Sequence, residues 1–298
     1  MIHSSEFLTQ VSTQFEDTCQ PYRFVVVGAG QSAGEITEYL LNHYDNAQVH
    51  VIVSGHTLQP TDNSPFVNEQ FYSRSADAFY RLSDHRRSIV SAGLRGANYG
   101  VVREDLLDRL FAIDYLDRVK GRRRLDIHPY CRMAQVDQAE AGLIVTVQPV
   151  LPDTSPEAPE QELECDGVIL ATGYARTLDP ALFVDVLPHL KRENEAAGLS
   201  LLRNYRVRTG SDLEAGLYLQ GFGEAQFGLG DTLLSLLPFR SMDIVDDVVA
   251  RSVAATVTED SPPPPTPGLI TSGASGRRRS HRTHRSGTWR RTTRNFTR

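Results

Sequence analysis

One segment near the start of the chain constrains the fold more than any other, because a strand pattern, a glycine-rich turn and a helix pattern follow one another directly. Residues 24–27 (FVVV) are apolar and mostly β-branched, as in a buried parallel strand. A turn over residues 28–30 interrupts this run, and residues 31–44 then space apolar side chains as a helix does. Residues 49–53 predict the next strand. This βαβ order predicts a right-handed crossover and a parallel sheet, so the expected fold class is α/β.

The turn and the start of the helix match the pattern G-x-G-x-x-G/A, which holds a dinucleotide in Rossmann-like folds. Gly28 permits the tight turn, Gly30 leaves room for a pyrophosphate beside the backbone, and Ala33 lets the helix pack close to the strand. The first N–H groups of the helix and its positive dipole end would face the phosphates. A plain glycine turn is the alternative interpretation, and the position between a strand and a helix favours nucleotide binding.

The end of the second strand bears on which dinucleotide is bound. Enzymes that use NAD usually carry an acidic residue there for the ribose 2′-hydroxyl. In this chain Ser54, Gly55 and His56 follow the strand, so the sequence argues against NAD. No arginine stands directly beside them to contact the 2′-phosphate of NADP. Arg74 is a candidate further along the chain, although a solvated surface arginine is the simpler interpretation of that residue.

The remaining pattern alternates short strands and helices after a polar opening segment over residues 1–20. Strands are predicted over residues 124–127, 133–138, 143–150, 167–171 and 216–221. Helices are predicted over residues 75–91, 103–120 and 231–249, the last with Leu233, Leu234, Leu237 and Val245 facing a core. Residues 151–160 are rich in proline and predict a surface connection.

The net charge of −6 hides an uneven distribution of charge. Of the 31 basic residues, nine are arginines within 261–298, which leaves 22 against 37 acidic residues in 1–260. An acidic body argues against nucleic acid as its partner. The basic end follows a run of prolines and has few apolar side chains, so it cannot offset its ordering entropy and is predicted to be a disordered tail.

Membrane insertion, secretion and metal binding find no support in the sequence. No apolar run approaches the roughly 18–20 residues that a membrane helix needs, and the first ten residues lack the pattern of a signal peptide. The three cysteines are odd in number and form no CxxC pair, which argues against a disulfide framework or a zinc knuckle. A cytoplasmic protein with no membrane partner and no metal site is expected.

Five motifs in a fixed order carry a resemblance to a known family. The strand over 167–171 ends in ATGY, which resembles the linker between the NADPH and FAD domains of two-dinucleotide flavoproteins; an ordinary core strand that stops at a glycine is the alternative. The motifs DNSPFVNE at 62–69, ANYGVV at 97–102 and GLGDTLLS at 228–235 have no general meaning by spacing alone. Together with GAGQSAGE they resemble the microbial L-ornithine N5- and L-lysine N6-monooxygenases of siderophore biosynthesis, over roughly residues 1–250.

The resemblance implies the chemistry and the site. It implies a class B flavoprotein that uses NADPH, FAD and molecular oxygen to hydroxylate the side-chain amine of L-ornithine or L-lysine, with no catalytic side chain and as a homo-oligomer. The substrate-binding residues would be Asn68, Asn98 and Ser235. The cofactor-binding residues would be Gly28, Gly30, Gln31, Ser32, Ala33, Asn98, Thr172, Gly173, Tyr174, Gly228, Leu229 and Asp231. A carboxamide suits a substrate contact because it donates and accepts hydrogen bonds without adding a charge; a loop cap is the alternative for each asparagine.

The sequence departs from the family pattern in several places. The family often has arginine where Ser54 stands and serine where Gly230 stands. The family also has a glycine fingerprint for FAD near its N-terminus. This chain shows a single fingerprint, the one at residues 28–33, so an N-terminally truncated member is expected.

The predicted division is the end of an FAD-domain segment (1–20), a Rossmann-like NADPH-binding domain with substrate loops (21–163), the C-terminal part of a second, FAD-type domain (164–252) and the basic tail (253–298). An inactive NADP(H)-binding fragment without an FAD site stays open as an alternative function. Another class B flavin monooxygenase, of the Baeyer–Villiger or dimethylaniline type, is a further alternative that the SPFVN loop disfavours.

Overall fold

A five-stranded parallel sheet lies at the centre of the computed structural model, which describes residues 1–150, 160–175, 178–191 and 199–259. The strands are β1 (Ile2–His3), β2 (Arg23–Val27), β3 (Gln48–Ile52), β4 (Gln59–Pro60), β5 (Val101–Val102), β6 (Leu125–His128), β7 (Cys131–Ala139), β8 (Gly142–Pro149), β9 (Gln161–Cys165) and β10 (Gly167–Leu170). The central sheet has the strand order β1-β10-β2-β3-β6, while β7, β8 and β9 form an antiparallel sheet and β4 pairs with β5. The predicted α/β class with a parallel sheet is confirmed.

Eight α-helices connect or follow these strands in the described residues. They are α1 (Phe7–Gln14), α2 (Gln31–His43), α3 (Pro65–Asn68), α4 (Ser73–Tyr80), α5 (Asp84–Gly93), α6 (Glu104–Val119), α7 (Glu224–Phe227) and α8 (Leu237–Glu259). The helices predicted over 31–44 and 103–120 are confirmed as α2 and α6, because both carry apolar side chains at helical spacing toward the sheet.

Helices pack on one face of the central sheet and the antiparallel sheet packs on the other, as the alternating side chains of β2 show. Phe24 and Val26 pack with the apolar faces of α1, α2 and α6. Val25 points to the other face and packs with Val145 and Leu163 of the antiparallel sheet. Because side chains in a strand alternate between faces, a strand with apolar residues at every position must be buried on both. The unbroken FVVV run is therefore explained by this three-layer packing.

Helix α2 packs close to its neighbours because it carries a glycine at the contact. A Cβ atom on Gly34 would lie 3.0 Å from side-chain atoms of both Leu106 and Val102. The close packing that the fingerprint assigns to Ala33 is thus shared with Gly34, one residue later. At the other end of the helix the buried Tyr44 hydroxyl donates to the carbonyl of Phe15 over 2.9 Å, which anchors α1 to the sheet.

The opening segment, predicted to be the end of an FAD-domain segment, is ordered and packs against the central sheet. β1 pairs in parallel with β10, and α1 buries Phe7 and Val11 against the sheet. Its apolar residues are few but spaced one helical turn apart, which places them on one face.

The domain boundary predicted between residues 163 and 164 falls inside this packing unit. β10 lies between β1 and β2 in the central sheet, and β9 belongs to the antiparallel sheet that covers it. A separate cluster unites α4 with the C-terminal part of the chain, through Ala76, Leu201 and Phe227. The segment 164–252 therefore contributes residues to the clusters around the central sheet and also to the cluster with α4.

Several predicted elements differ from the structure. The helix predicted over 75–91 is divided into α4 and α5, and the strand predicted over 216–221 is one isolated bridge between Arg206 and Tyr218. α8 begins at Leu237 and not at 231, because Pro238 lacks an N–H and is tolerated only in the first turn of a helix. Leu234 and Val245, predicted to face a core, are 78% and 55% exposed.

The C-terminal helix runs further than the sequence pattern indicates. α8 continues to Glu259, so the prediction of disorder from residue 253 is wrong for its first seven residues; the rest of the predicted tail, 260–298, lies outside the described residues, as do residues 151–159 of the proline-rich connection. By contacts the chain divides into Met1–Val253 and Ala254–Arg298. Within the part of the chain that the structure describes, no helix has the length and apolar character needed to cross a membrane.

We expect Gly28→Ala to lower the free energy of unfolding by about 1–3 kcal/mol, as measured by chemical denaturation. Gly28 has φ +143°, and a Cβ atom there would lie 2.2 Å from the carbonyl oxygen of Ala171. Gly30→Ala is the matched control, since its Cβ would lie 3.9 Å from the nearest atom and its change should stay below about 1 kcal/mol. Equal losses for both variants would contradict the proposed role of this close approach.

Candidate functional site

A cleft of ≈ 630 Å³ opens at the carboxyl ends of β2, β3 and β10. Ligands of open parallel sheets bind at this end of the strands. Eight of the predicted site residues line the cleft, namely Gly28, Gly30, Gln31, Ser32, Asn98, Thr172, Gly173 and Tyr174. The structure therefore brings three separate sequence motifs, the fingerprint, ANYG and ATGY, to one surface.

The first turn of the cleft is held from both sides. The Gly28 N–H donates to the carbonyl of Ile52 over 3.0 Å, and the backbone of Ala171 packs against its α-carbon. The positive φ of Gly28 lies in the region that glycine alone adopts without strain. The turn thus depends on the two strands beside it as much as on its own sequence.

The start of α2 faces open space. Gly30 is the N-cap residue with an extended backbone (φ −94°, ψ −176°), and the nearest atom to a Cβ on it would be the α-carbon of Gly100. The hydrogen bonds of the helix begin with the Ala33 N–H donating to the Gly30 carbonyl. The N–H groups of Gln31 and Ser32 precede that bond at the mouth of the cleft, where an anion would be attracted.

The Gln31 side chain joins two helices at the edge of the cleft. Its Oε1 accepts a hydrogen bond from the backbone N–H of Arg103, at the start of α6, over 2.9 Å. Its Nε2 donates to Glu35 over 2.9 Å. The carboxamide is thereby oriented before any ligand binds, which lowers the entropic cost of a contact with one.

Two further segments close the cleft. On one side, Asn98 and Gly100 line it, and the hydroxyl of Tyr99 between them donates to the carboxylate of Glu224 in the C-terminal part of the chain. On the other side, Tyr174 is 69% exposed, and its ring meets that of His3 edge to face at 5.3 Å between ring centroids.

Three of the predicted site residues, apart from the turn over 228–231, do not line the cleft. Asn68 is exposed at the end of α3, where its Nδ2 donates to the carbonyl of Asn63 over 2.8 Å, and it does not line the cleft. Ser235 is exposed in the 3-10 turn Leu234–Leu236. Ala33 is fully buried behind the cleft in the helix–sheet contact.

The turn Gly228–Asp231 is buried, and the chain itself braces it. Gly228 has φ +79°, and a Cβ on it would lie 3.3 Å from the ring of Phe79. Asp231 accepts a hydrogen bond from the Gly223 N–H over 2.7 Å, and the buried guanidinium of Arg240 donates to the Asp231 carbonyl. Leu229 is buried in the same turn. The turn is thus held in place by contacts within the chain.

Arg132 is a cleft residue that the sequence analysis missed. It lies with Ser54 in the wall beyond the end of β3, and its Nε and Nη2 donate to Gln148 Oε1 over 3.0 and 2.6 Å. The antiparallel sheet brings it there, because the Cys131 N–H donates to the carbonyl of Val53 over 2.9 Å. No local pattern marks this arginine, since it stands 78 positions after Ser54 in the sequence.

The residue before β7 explains how the chain reaches this wall. Tyr130 has φ +54°, which is rare for a residue with a side chain. Its N–H donates to the Gly55 carbonyl over 2.8 Å, and its carbonyl accepts from the Val150 N–H over 2.7 Å. This reversal turns the chain from the parallel sheet directly into the antiparallel one. Burial raises the pKa of the adjacent Cys131 thiol, so that side chain is not an activated nucleophile.

The comparisons with known proteins agree with this arrangement. Residues 1–176 match the family described as L-lysine 6-monooxygenase/L-ornithine 5-monooxygenase. The chain is 32% identical to an L-ornithine N(5)-monooxygenase of Arthroderma benhamiae, over 85% of this chain and 53% of the relative. It is 33% identical to one of Pseudomonas aeruginosa, over 82% of this chain and 53% of the relative.

Solved structures of ornithine hydroxylases share the fold. The Kutzneria sp. 744 ornithine N-hydroxylase KtzI, described with reduced FAD, NADP⁺ and L-ornithine, superposes with a TM-score of 0.77 at 30% identity, over 84% of this chain and 59% of that one. The ornithine hydroxylase PvdA of Pseudomonas aeruginosa gives a TM-score of 0.73 at 28% identity, over 84% and 56%. The chain spans about half the length of the curated relatives it matches. On these matches in sequence and structure, the chain belongs to the L-lysine 6-monooxygenase/L-ornithine 5-monooxygenase family.

Proposed function

We propose that this chain binds NADP(H) in the cleft at the start of α2 and serves the flavin-dependent N-hydroxylation of L-ornithine, with L-lysine as the alternative substrate. The observation that carries the proposal is the convergence of the fingerprint turn, Asn98 and Thr172–Tyr174 on one cleft. The names of the relatives support the substrate and, in the Kutzneria protein, the cofactors. The hydroxylated amine would serve hydroxamate siderophore biosynthesis.

The geometry supports a specific pose for the nucleotide. The open space above Gly30 fits a pyrophosphate, which would accept hydrogen bonds from the first N–H groups of α2. Asn98 lies across the cleft and would hold the nicotinamide ribose or the substrate. The exposed residues Thr172–Tyr174 border the cleft where a flavin of the complete site would meet this chain.

The protein residues would position the reactants and exclude water. Bound flavin, once reduced by NADPH, supplies the activation of molecular oxygen. The substrate amine must lose a proton before it can react, because an ammonium has no lone pair. Asn68, Asn98 and Ser235 are proposed for the substrate because neutral polar groups hold an amino acid without a charge that favours the ammonium form. The buried turn Gly228–Asp231 is proposed as a support beside the flavin.

Arg132 is proposed as the residue that recognises the 2′-phosphate of NADP(H). The wall beyond β3 holds Ser54 where an acidic residue would favour NAD, and Arg132 brings a guanidinium to the same wall. A guanidinium can bind a phosphate through two parallel hydrogen bonds. Gln148 orients it through a neutral oxygen, which leaves its charge available to an anion.

A cytoplasmic location is part of the same proposal, because Cys19, Cys131 and Cys165 are all free thiols. The homo-oligomer stays a prediction of the resemblance. The alternative function, a chain that binds NADP(H) without hydroxylating an amine, rests on the single fingerprint in this sequence. Another class B flavin monooxygenase has no comparable support from the relatives.

We expect the purified chain, supplied with FAD and NADPH, to convert L-ornithine to a product with one added oxygen atom. The measurement is mass spectrometry of the product together with NADPH consumption, with L-lysine, a ketone and a thioether assayed in parallel. Saturable binding of NADP⁺ without flavin uptake or product would favour the alternative function. Oxidation of the ketone or thioether in place of the amines would contradict the choice of substrate class.

We expect Gly30→Val to weaken NADP⁺ binding at least about tenfold, since its side chain would fill the space of the pyrophosphate. The extended backbone of Gly30 accepts a β-branched residue, so the midpoint of thermal unfolding should stay close to that of the original chain. Isothermal titration with NADP⁺ measures the change, and Gly55→Ala, with open space around its α-carbon, is the control. Unchanged affinity in Gly30→Val would remove the support for this pose.

We expect Arg132→Ala to weaken the binding of NADP⁺ by roughly tenfold or more while NAD⁺ affinity changes little, because a charge-assisted hydrogen bond to the 2′-phosphate is lost. The measurement is the ratio of the two dissociation constants. Arg74→Ala is the matched control, since that arginine pairs with Glu69 away from the cleft and its loss should leave the ratio unchanged. An equal loss for both nucleotides in Arg132→Ala would contradict 2′-phosphate recognition.

A further inference from the structure

Three potential metal ligands meet at the edge of the central sheet that β6 forms. His50 lies on β3, and Asp126 and His128 lie on β6. The register pairs His50 with Asp126 and Ile52 with His128, and cross-strand partners share a face. Ile52 packs toward the antiparallel sheet, so all three polar side chains lie on that face. In the described part of the chain, these three side chains form a group of histidine and acidic residues close enough together to share one metal ion.

The distances among the three side chains suit one small cation. One ligand atom from each residue lies within 4.8 Å of the other two. His50 Nδ1 and His128 Nε2 are 3.0 Å apart, and His128 Nε2 is 3.9 Å from Asp126 Oδ2. Tetrahedral zinc with Zn–N bonds of about 2.0–2.1 Å separates two nitrogens by about 3.3 Å. Small rotations of the side chains would therefore seat an ion.

The ligand carboxylate is also oriented as a metal site requires. Oδ2 of Asp126 faces His128, because the other oxygen, Oδ1, accepts a hydrogen bond from Arg123 over 2.7 Å. A hydrogen bond to the far oxygen of a ligand carboxylate orients it, as outer-shell partners of metal sites do.

An open cavity and paired arginine side chains surround the three ligands. His50 and Asp126 line a cavity of ≈ 310 Å³ at this edge, through which an ion can enter. The cationic side chain of Arg124 in the same wall is turned away, to the carboxylate of Asp117 at 2.7 Å. The exposed Arg123 is paired with Asp126 itself. The positive charges of this wall are thus matched by carboxylates.

We propose that His50, Asp126 and His128 bind a divalent transition metal, with Zn²⁺ as the occupant. Two imidazoles and one carboxylate are borderline ligands that zinc accepts, with a water molecule completing the tetrahedron. The ion would join the edge strand β6 to β3. The site is separate from the nucleotide cleft, whose lining shares none of these three residues.

The test is zinc binding by the full chain, measured by competition with a chromophoric chelator, and cobalt binding, measured by visible absorption. We expect one zinc site in the original chain that Asp126→Asn and His50→Gln each weaken at least about tenfold. Co²⁺ in the original chain should give the intense visible bands of a four-coordinate ion, and these should fade in both variants. Zinc should also raise the midpoint of thermal unfolding of the original chain, but not that of Asp126→Asn or His50→Gln.

His189→Gln is the matched control, because His189 also contacts a carboxylate, that of Asp212, but belongs to no group of three ligands in the described residues. It should bind zinc as the original chain does. Circular dichroism without metal, and titration with NADP⁺, establish that each variant is folded. Equal zinc affinity in the original chain, Asp126→Asn and His50→Gln would overturn the proposal, as would a Co²⁺ spectrum with only the weak bands of the hydrated ion.

Discussion

The close approach of Gly28 to the backbone of Ala171 is the contact on which the nucleotide cleft depends. It exists because β10 lies directly beside β2, with Leu170 in register with Val27. The same adjacency places the chain after β10 at the mouth of the turn, so Thr172–Tyr174 borders the space above the helix start. A side chain at position 28 would separate the two strands at the point where the cleft begins. Backbone packing, more than any polar side chain, therefore shapes the candidate site.

The part of the site nearest the fingerprint could be predicted from the sequence because its determinants are local. An apolar strand, two glycines and an amphipathic helix in direct succession leave few alternatives. Arg132 and the cluster around His128 could not be predicted, since their positions depend on which strands become neighbours. The exposure of Val245 shows a different limit: helical spacing identifies the apolar face of α8 but does not say what covers it.

The C-terminal part of the chain is tied to the nucleotide side through a few polar contacts. The hydroxyl of Tyr99 reaches Glu224, and Arg203 bridges Asp77 of α4 and Asp243 of α8. The first contact joins the loop of Asn98, which lines the cleft, to the C-terminal part of the chain, and the contacts of Arg203 join α4 to α8. A reaction between two bound molecules needs this kind of fixed geometry, since small displacements of either partner cost rate.

Tyr130, with its left-handed backbone, links the two proposed binding sites along the chain. It stands two positions after His128 and two before Arg132, so the same short reversal carries a ligand of the proposed zinc site on one side and the guanidinium proposed for the 2′-phosphate on the other. A side chain held at positive φ stores roughly 1–2 kcal/mol of strain, which the backbone hydrogen bonds to Gly55 and Val150 must offset. An ion bound at His128 would therefore act two residues away from this strained position, on the segment that leads to the proposed 2′-phosphate site.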